Sequence, residues 1–155
     1  MLHDIGKLGV SNLILDKPGK PTDDEFAQIR MHAEYSHRIL TQVDAFRSLA
    51  VVAGAHHERL DGQGYYRGVD ASSISWITRV LTVADVCEAM SAKRPYRDPM
   101  PWEQIRRILA RDAGRGVDAE CLEALTRWQE ANQLVSRVDE QLAEVDRLIS
   151  ETLAV

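Results

Sequence analysis

The sequence is short of several things, and each shortage removes a class of answer. Only two of its 155 residues are cysteine, Cys87 and Cys121. Their spacing suits neither a disulfide framework nor a zinc-binding pair, so reduced thiols and a cytoplasmic location are expected. No apolar run approaches the roughly 18 residues that span a bilayer. Charge begins at Asp4, which argues against a secretory leader. Excess positive charge is missing too. The net charge is -5 at pH 7, which disfavours binding a nucleic-acid polymer through a basic surface. A local basic pocket for a small anionic substrate stays compatible with that balance. Strand signal is scarce. Apolar content of 45% and charged content of 28% are those of a soluble globular protein, and the length suits one domain with a buried core.

What is present is helical periodicity, so the predicted fold class is all-α. Leu8 to Lys20 reads as a loop, broken at its end by Pro18, Gly19 and Pro21. Thr22 and Glu25 form a capping box, each side chain satisfying a backbone donor of the other. Behind them Phe26, Ile29, His32, Ala33, His37 and Leu40 recur at helical spacing. A second helix is expected from about Ala45 to His57, followed by a Gly- and Asp-rich segment, Glu58 to Ser73, that reads as an ordered functional loop. A third covers about Trp76 to Ala92. Asp98-Pro99 predicts the cap and first turn of a fourth, ending near Gly114, and a fifth begins near Asp118. From Val135, the residues Val138, Leu142, Val145 and Ile149 follow three-four spacing for about two heptads, too few for a coiled coil. The expected organisation is a domain over 1–132 and an amphipathic helix over 133–155 that packs on the domain or on a partner copy.

Residues of metal-ligand type stand at four separated stations: His3-Asp4, His32, His56-His57 and Asp85. Imidazole and carboxylate suit iron, manganese or zinc. Taken singly, His32 reads as a satisfied or solvent-facing histidine, as His37 does. His56-His57 would favour a helix C-terminus by charge-dipole attraction, and Asp85 could pair with Arg79 or Lys93. Asp85 is the most telling residue, because Val83, Ala84 and Val86 flank it and a lone buried carboxylate is costly unless paired or bound to metal. Together the four stations point to a metallohydrolase. His3 and Asp4 are expected to end a helix, with Gly6 permitting the turn that follows.

The segments His3-Asp4-Ile5-Gly6-Lys7, the His32 helix, His56-His57-Glu58-Arg59-Leu60-Asp61-Gly62-Gln63-Gly64-Tyr65, Val83-Ala84-Asp85-Val86 and Arg94-Pro95-Tyr96-Arg97 carry a resemblance. Over roughly residues 1 to 130 the chain resembles the HD-GYP phosphodiesterases, a branch of the HD-domain phosphohydrolases. The resemblance implies an HD-domain-like helical bundle holding two or three divalent ions, iron or manganese above others. It implies hydrolysis of cyclic di-GMP to linear pGpG or GMP, with related cyclic dinucleotides as substrates for some members. Asp4 would bridge the ions, and His3, His32, His56, His57 and Asp85 would complete their shells. Asp4 and Lys7 would be the catalytic residues, the lysine aimed at the phosphate or leaving oxygen. On the substrate side, Gly62 and Gly64 would allow close backbone approach, and Tyr65 could stack on guanine or bond its phosphate. Arg94 and Arg97 would supply forked donors.

Two departures from the family pattern shape the expectations. Tyr66 stands where the family's naming triad has proline, which frees a fixed backbone angle and leaves the ligands intact. Family members carry helices before the His-Asp pair, with a further histidine ligand, whereas only Met1 and Leu2 precede His3 here. A missing ligand and exposed apolar surface are therefore expected, the latter favouring a homodimer. The alternative function is an impaired HD-GYP-type module that binds cyclic di-GMP or a signalling-protein partner without turnover. A general HD nucleotide hydrolase is a third reading, disfavoured because it would not need the run from Asp61 to Gly68.

Overall fold

A computed structural model describes residues 2–93 and 98–153, and the side chains of all these except 135–140 and 144–153. Among the described residues the architecture is all-α, as the periodicity predicts, with two isolated bridges and no strand. A 3₁₀ helix, Leu2–Gly9, leads into the single-turn α1, Asn12–Leu15. The long α2, Asp23–Leu40, follows, then a 3₁₀ turn at Asp44–Phe46 and α3, Arg47–Ala55. After the loop come α4, Trp76–Ser91, α5, Trp102–Asp112, and α6, Ala119–Leu153. Residues up to Leu122 form one compact unit, and those from Glu123 onward a second. No helix among the described residues is long and apolar enough to cross a membrane.

The helix boundaries follow local chemistry. Thr22 Oγ1 accepts from the Glu25 amide, and the Glu25 carboxylate accepts from the Thr22 amide at 2.7 Å, which completes the predicted capping box. Lys17 adds its ammonium to the same carboxylate at 2.7 Å. Ser75 caps α4 through the Thr78 amide. Asp118 Oδ1 accepts the amides of Glu120 and Cys121 at the start of α6, while its Oδ2 takes Arg79 Nη1 at 3.0 Å.

Three expectations need correction. The Leu8–Lys20 segment is not all loop, because Ser11 accepts the Leu13 amide and starts the turn of α1. The fourth helix does not begin at Asp98-Pro99. Pro101 holds the N-cap position with ψ 147°, and a residue before proline is pushed out of the helical region, so Met100 cannot be helical and α5 opens at Trp102. The Val135–Ile149 pattern does not belong to a separate helix either, since α6 runs through it without a break.

The first segment also behaves differently. His3 and Asp4 do not end a helix: the 3₁₀ helix continues through Gly9, and Gly6 makes no left-handed turn. Gly6 is instead a point of close approach. A Cβ there would collide with the backbone of α2 at His32 O and Ser36 N. Ser36, fully buried, accepts the Gly6 amide at 2.9 Å and donates to His3 O at 2.7 Å. Beside it Ile5 packs with Phe46 on the buried cluster of Leu40, Ala50 and Ala53. The short segment is thus pinned to α2 and α3 by polar and apolar contacts alike.

That close approach is tested by Gly6→Ala. The added methyl would have to displace main chain of α2 as well as the Ser36 hydroxyl, so a loss of about 3 kcal/mol or more is expected in denaturant unfolding. An unfolding midpoint equal to that of the parent would contradict the packing described.

Candidate metal centre

The six metal-type residues of the sequence converge from four elements. His3 and Asp4 come from the first 3₁₀ helix, His32 from the middle of α2, His56 and His57 from just beyond α3, and Asp85 from α4. Thr82 Oγ1 lies 2.9 Å from His56 O, so α4 holds the end of α3 where the two histidines sit. His3 Nε2 is 3.5 Å from both Asp4 Oδ2 and Asp85 Oδ1. Asp85 does not pair with Arg79, whose guanidinium goes to Asp118 and to the carbonyls of Ala71 and Ile74.

Asp4 divides its two oxygens. Oδ1 faces His32 Nε2 at 3.5 Å and His56 Nε2 at 3.9 Å, whereas Oδ2 faces His3 Nε2 at 3.5 Å and Lys7 Nζ at 2.7 Å. The residues accordingly fall into two groups with donor atoms close enough for one ion each: His32, His56 and His57, and His3, Asp4 and His56. A cavity of about 390 Å³ lined by His3, Asp4, Leu81, Ala84, Asp85 and Glu88 opens beside the second group.

Electrostatics keep these donors free. Burial pushes the His32 imidazole below its ordinary value, and burial with the neighbouring histidines pushes His56 down to about 4 and His57 down to about 2. Burial raises the Asp4 carboxyl, but Lys7, His3 and His32 outweigh it and hold the group lower than an ordinary aspartate. At neutral pH the three histidines are therefore neutral and Asp4 is charged.

The tautomers test whether this set fits a metal. His32 Nδ1 lies 2.5 Å from Ile29 O and His56 Nδ1 2.6 Å from Ala53 O, contacts that place the proton on Nδ1 in each ring. Both Nε2 atoms then carry bare lone pairs, and they face each other 3.5 Å apart. Two buried acceptors in that position repel unless a cation lies between them or near both. A carbonyl orienting the far nitrogen is also the usual support of a metal-binding histidine. The donor set fits divalent metal.

The loop after His57 closes one side. Tyr65 stacks on His57 with ring centroids 4.7 Å apart, and its amide donates to His57 O. Burial pushes its phenol up from the ordinary value. Gly62 has φ 73° and makes a turn, whereas the close approach at Gly64 is to the chain's own backbone at His57, Glu58 and Arg59. Arg94 and Arg97, expected on the substrate side, lie outside the described residues.

Glu58 is a residue that the motif reading passed over. It is 2% exposed, and its carboxylate accepts the amides of Arg67, Gly68 and Val69 at 2.7, 3.2 and 3.2 Å. The signal was a carboxylate directly after two histidines and before a Gly-rich loop whose amides need acceptors. Arg59 does comparable work from the next position, forking onto Asp112 at 2.8 and 2.9 Å and onto Asp61 at 3.1 and 3.0 Å.

A family model for the HD domain matches residues 1–121. The chain belongs to the HD-domain family. The HD-GYP resemblance is borne out with it, because the curated relatives of this HD-domain chain are cyclic-dinucleotide phosphodiesterases. The 3'3'-cGAMP-specific phosphodiesterase 3 of Vibrio cholerae is 50% identical over 127 residues, 82% of this chain and 28% of its own. The cyclic di-GMP phosphodiesterase of Thermotoga maritima is 37% identical over 130 residues, 83% of this chain and 35% of its own. A crystallised cyclic GMP-AMP-specific phosphodiesterase of V. cholerae aligns at 42% identity over 81% of this chain and 27% of that one, with a TM-score of 0.41. The HD-domain chain thus spans about a third or less of the length of these relatives.

Two measurements probe the centre. His56 is the histidine common to both donor groups, so His56→Ala should lower the metal content of purified protein further than His57→Ala or Asp85→Ala does, by elemental mass spectrometry. Equal losses in all three would remove the shared ligand. Glu58→Ala leaves three buried-side amides without an acceptor and should cost about 3 kcal/mol of stability. An unchanged denaturation midpoint would show that the carboxylate does not hold the loop.

Proposed function

We propose that this HD-domain chain is the catalytic portion of a metal-dependent phosphodiesterase acting on cyclic dinucleotides. The observation that carries the proposal is Asp4, whose two oxygens are turned to two different sets of nitrogen donors. A carboxylate in that arrangement is suited to bridge a pair of ions, with His32, His56 and His57 on one side and His3 and Asp85 on the other. Divalent ions held there would activate the attacking water and offset charge on the phosphoryl oxygens. Iron or manganese suits the mixed imidazole and carboxylate donors.

The chain's own residues do the rest. Lys7 Nζ, held 2.7 Å from Asp4, is placed to meet a phosphoryl or leaving oxygen with its remaining donors. Asp4 fixes the direction of that ammonium. The neutral histidines would keep their lone pairs available to such ions instead of taking up protons at working pH. Tyr65, stacked on His57, walls the centre and offers a ring face to a purine. Water adds across one P–O ester bond, leaving a linear dinucleotide with a terminal phosphate.

The relatives' names divide between two substrates. Identity is 50% to the enzyme named for 3'3'-cGAMP and 37% to that named for cyclic di-GMP. This difference supports 3'3'-cGAMP as the preferred substrate and cyclic di-GMP as the second.

Protein loaded with iron(II) or manganese(II) should convert both dinucleotides to linear products resolved by anion-exchange chromatography. Asp4→Ala should lower turnover by about a hundredfold or more. No product from fully loaded protein would overturn the proposal. Binding without product would assign the chain instead to a module that recognises the ligand and leaves it intact.

A further inference from the structure

A cyclic dinucleotide carries two phosphodiesters, and a centre built on one pair of ions engages only one of them. The other needs a cation of its own within the same site. Among the described residues, three arginines of the loop and of α4 have polar partners of their own. Arg59 is forked between Asp61 and Asp112, and Arg79 is held by Asp118 and two carbonyls. Arg67 donates to Tyr66 and contacts His37.

Arg30 differs from all of these. It lies on α2 two residues before His32 and is exposed. Its guanidinium carbon stands 4.6 Å from the centre of the Phe26 ring and 5.2 Å from that of Tyr65, both within reach of cation–π attraction. Tyr65 in turn stacks on His57. A continuous line of rings therefore runs from the metal centre to this guanidinium. Among the described residues no carboxylate, carbonyl or hydroxyl accepts from it. The aromatic contacts hold the guanidinium beside two rings and use none of its N–H donors in a hydrogen bond among the described residues. Two parallel N–H donors match two non-bridging oxygens of a phosphodiester.

We propose that Arg30 binds the phosphodiester that is not cleaved. The inference rests on the reading of the centre as a cyclic-dinucleotide site and adds to it a residue that sets which diesters bind. A substrate with a single phosphate would gain nothing from Arg30.

The test is calorimetric titration of the metal-loaded chain and its Arg30→Ala and Arg30→Lys variants with 3'3'-cGAMP, cyclic di-GMP and inorganic phosphate. Arg30 is exposed, so the variants should keep the parent's metal content and unfolding midpoint. Arg30→Ala should weaken dinucleotide binding about tenfold or more, the scale of a charge-assisted pair, and leave phosphate binding unchanged. Lysine, which keeps the charge and loses the fork, should recover only part. Binding of neither dinucleotide by the parent overturns the reading of the centre and this inference with it. Equal dinucleotide binding by parent and Arg30→Ala overturns this inference alone. Equal weakening of phosphate and dinucleotide, or full recovery with lysine, does so too.

Discussion

The absence of a side chain at Gly6 sets the geometry on which the candidate metal centre depends. The donor residues on α2 and on the first segment meet where the two backbones approach more closely than a Cβ at Gly6 would permit. Ser36 uses that closeness in both directions, accepting from the Gly6 amide and donating to His3 O. Within one short segment the tasks alternate. His3, Asp4 and Lys7 present functional groups, while Ile5 and Gly6 anchor them, one by apolar burial and the other by contact. Because the anchor residues sit between the functional ones, any shift that loosens Ile5 or Gly6 displaces Asp4 from His32.

Crowding imidazoles into a buried space is costly if they carry charge. Burial lowers the proton affinity of His32, His56 and His57, and neighbouring rings lower His56 and His57 further. The backbone carbonyls of Ile29 and Ala53 then settle which nitrogen keeps the single remaining proton. Packing and electrostatics act toward the same end here. The helix positions that bury the rings also fix their tautomers, and the outcome is a set of lone pairs facing a common space. Such a set is unfavourable by itself. A cation placed among the nitrogens would relieve those contacts.

Much of this was readable from the sequence because it resides in local patterns. Thr22 and Glu25 declared the start of α2, and the three-four spacing of Phe26, Ile29 and Ala33 its course. The HD-GYP motif segments brought His3, Asp4, His32, His56, His57 and Asp85 together before any geometry was known. What stayed hidden was either a local rule masked by a stronger signal nearby or a contact that no local pattern announces. The α5 start turned on Met100 standing before Pro101, a local rule that the nearby Asp98-Pro99 signal obscured. Gly6 looks like a turn residue and Gly64 like a point of approach for substrate, and both prove to be places where backbone meets backbone. Glu58 looks like a solvated charge until the amides of Arg67, Gly68 and Val69 are seen around it.

The loop that carries Tyr65 is held by charge more than by apolar burial. Glu58 gathers its amides, Arg59 ties its start to Asp112, and Arg79 takes the carbonyl of Ala71 near its end. This bears on Tyr66, which stands where the family pattern has proline. Proline would restrict the backbone through its own ring. Here the tyrosine adds contacts in place of that restriction. Its hydroxyl accepts from Arg67 Nε at 2.9 Å, its ring lies 6.2 Å from that of His37, and it packs so closely on Gly54 that a Cβ there would stand 3.2 Å from it. His37 is itself within 3.1 Å of Arg67 Nη2, so residues from α2, α3 and the loop close around one another. A side-chain cluster can thus constrain a loop that lacks the family's proline, and it draws on α2 through His37, five residues beyond His32.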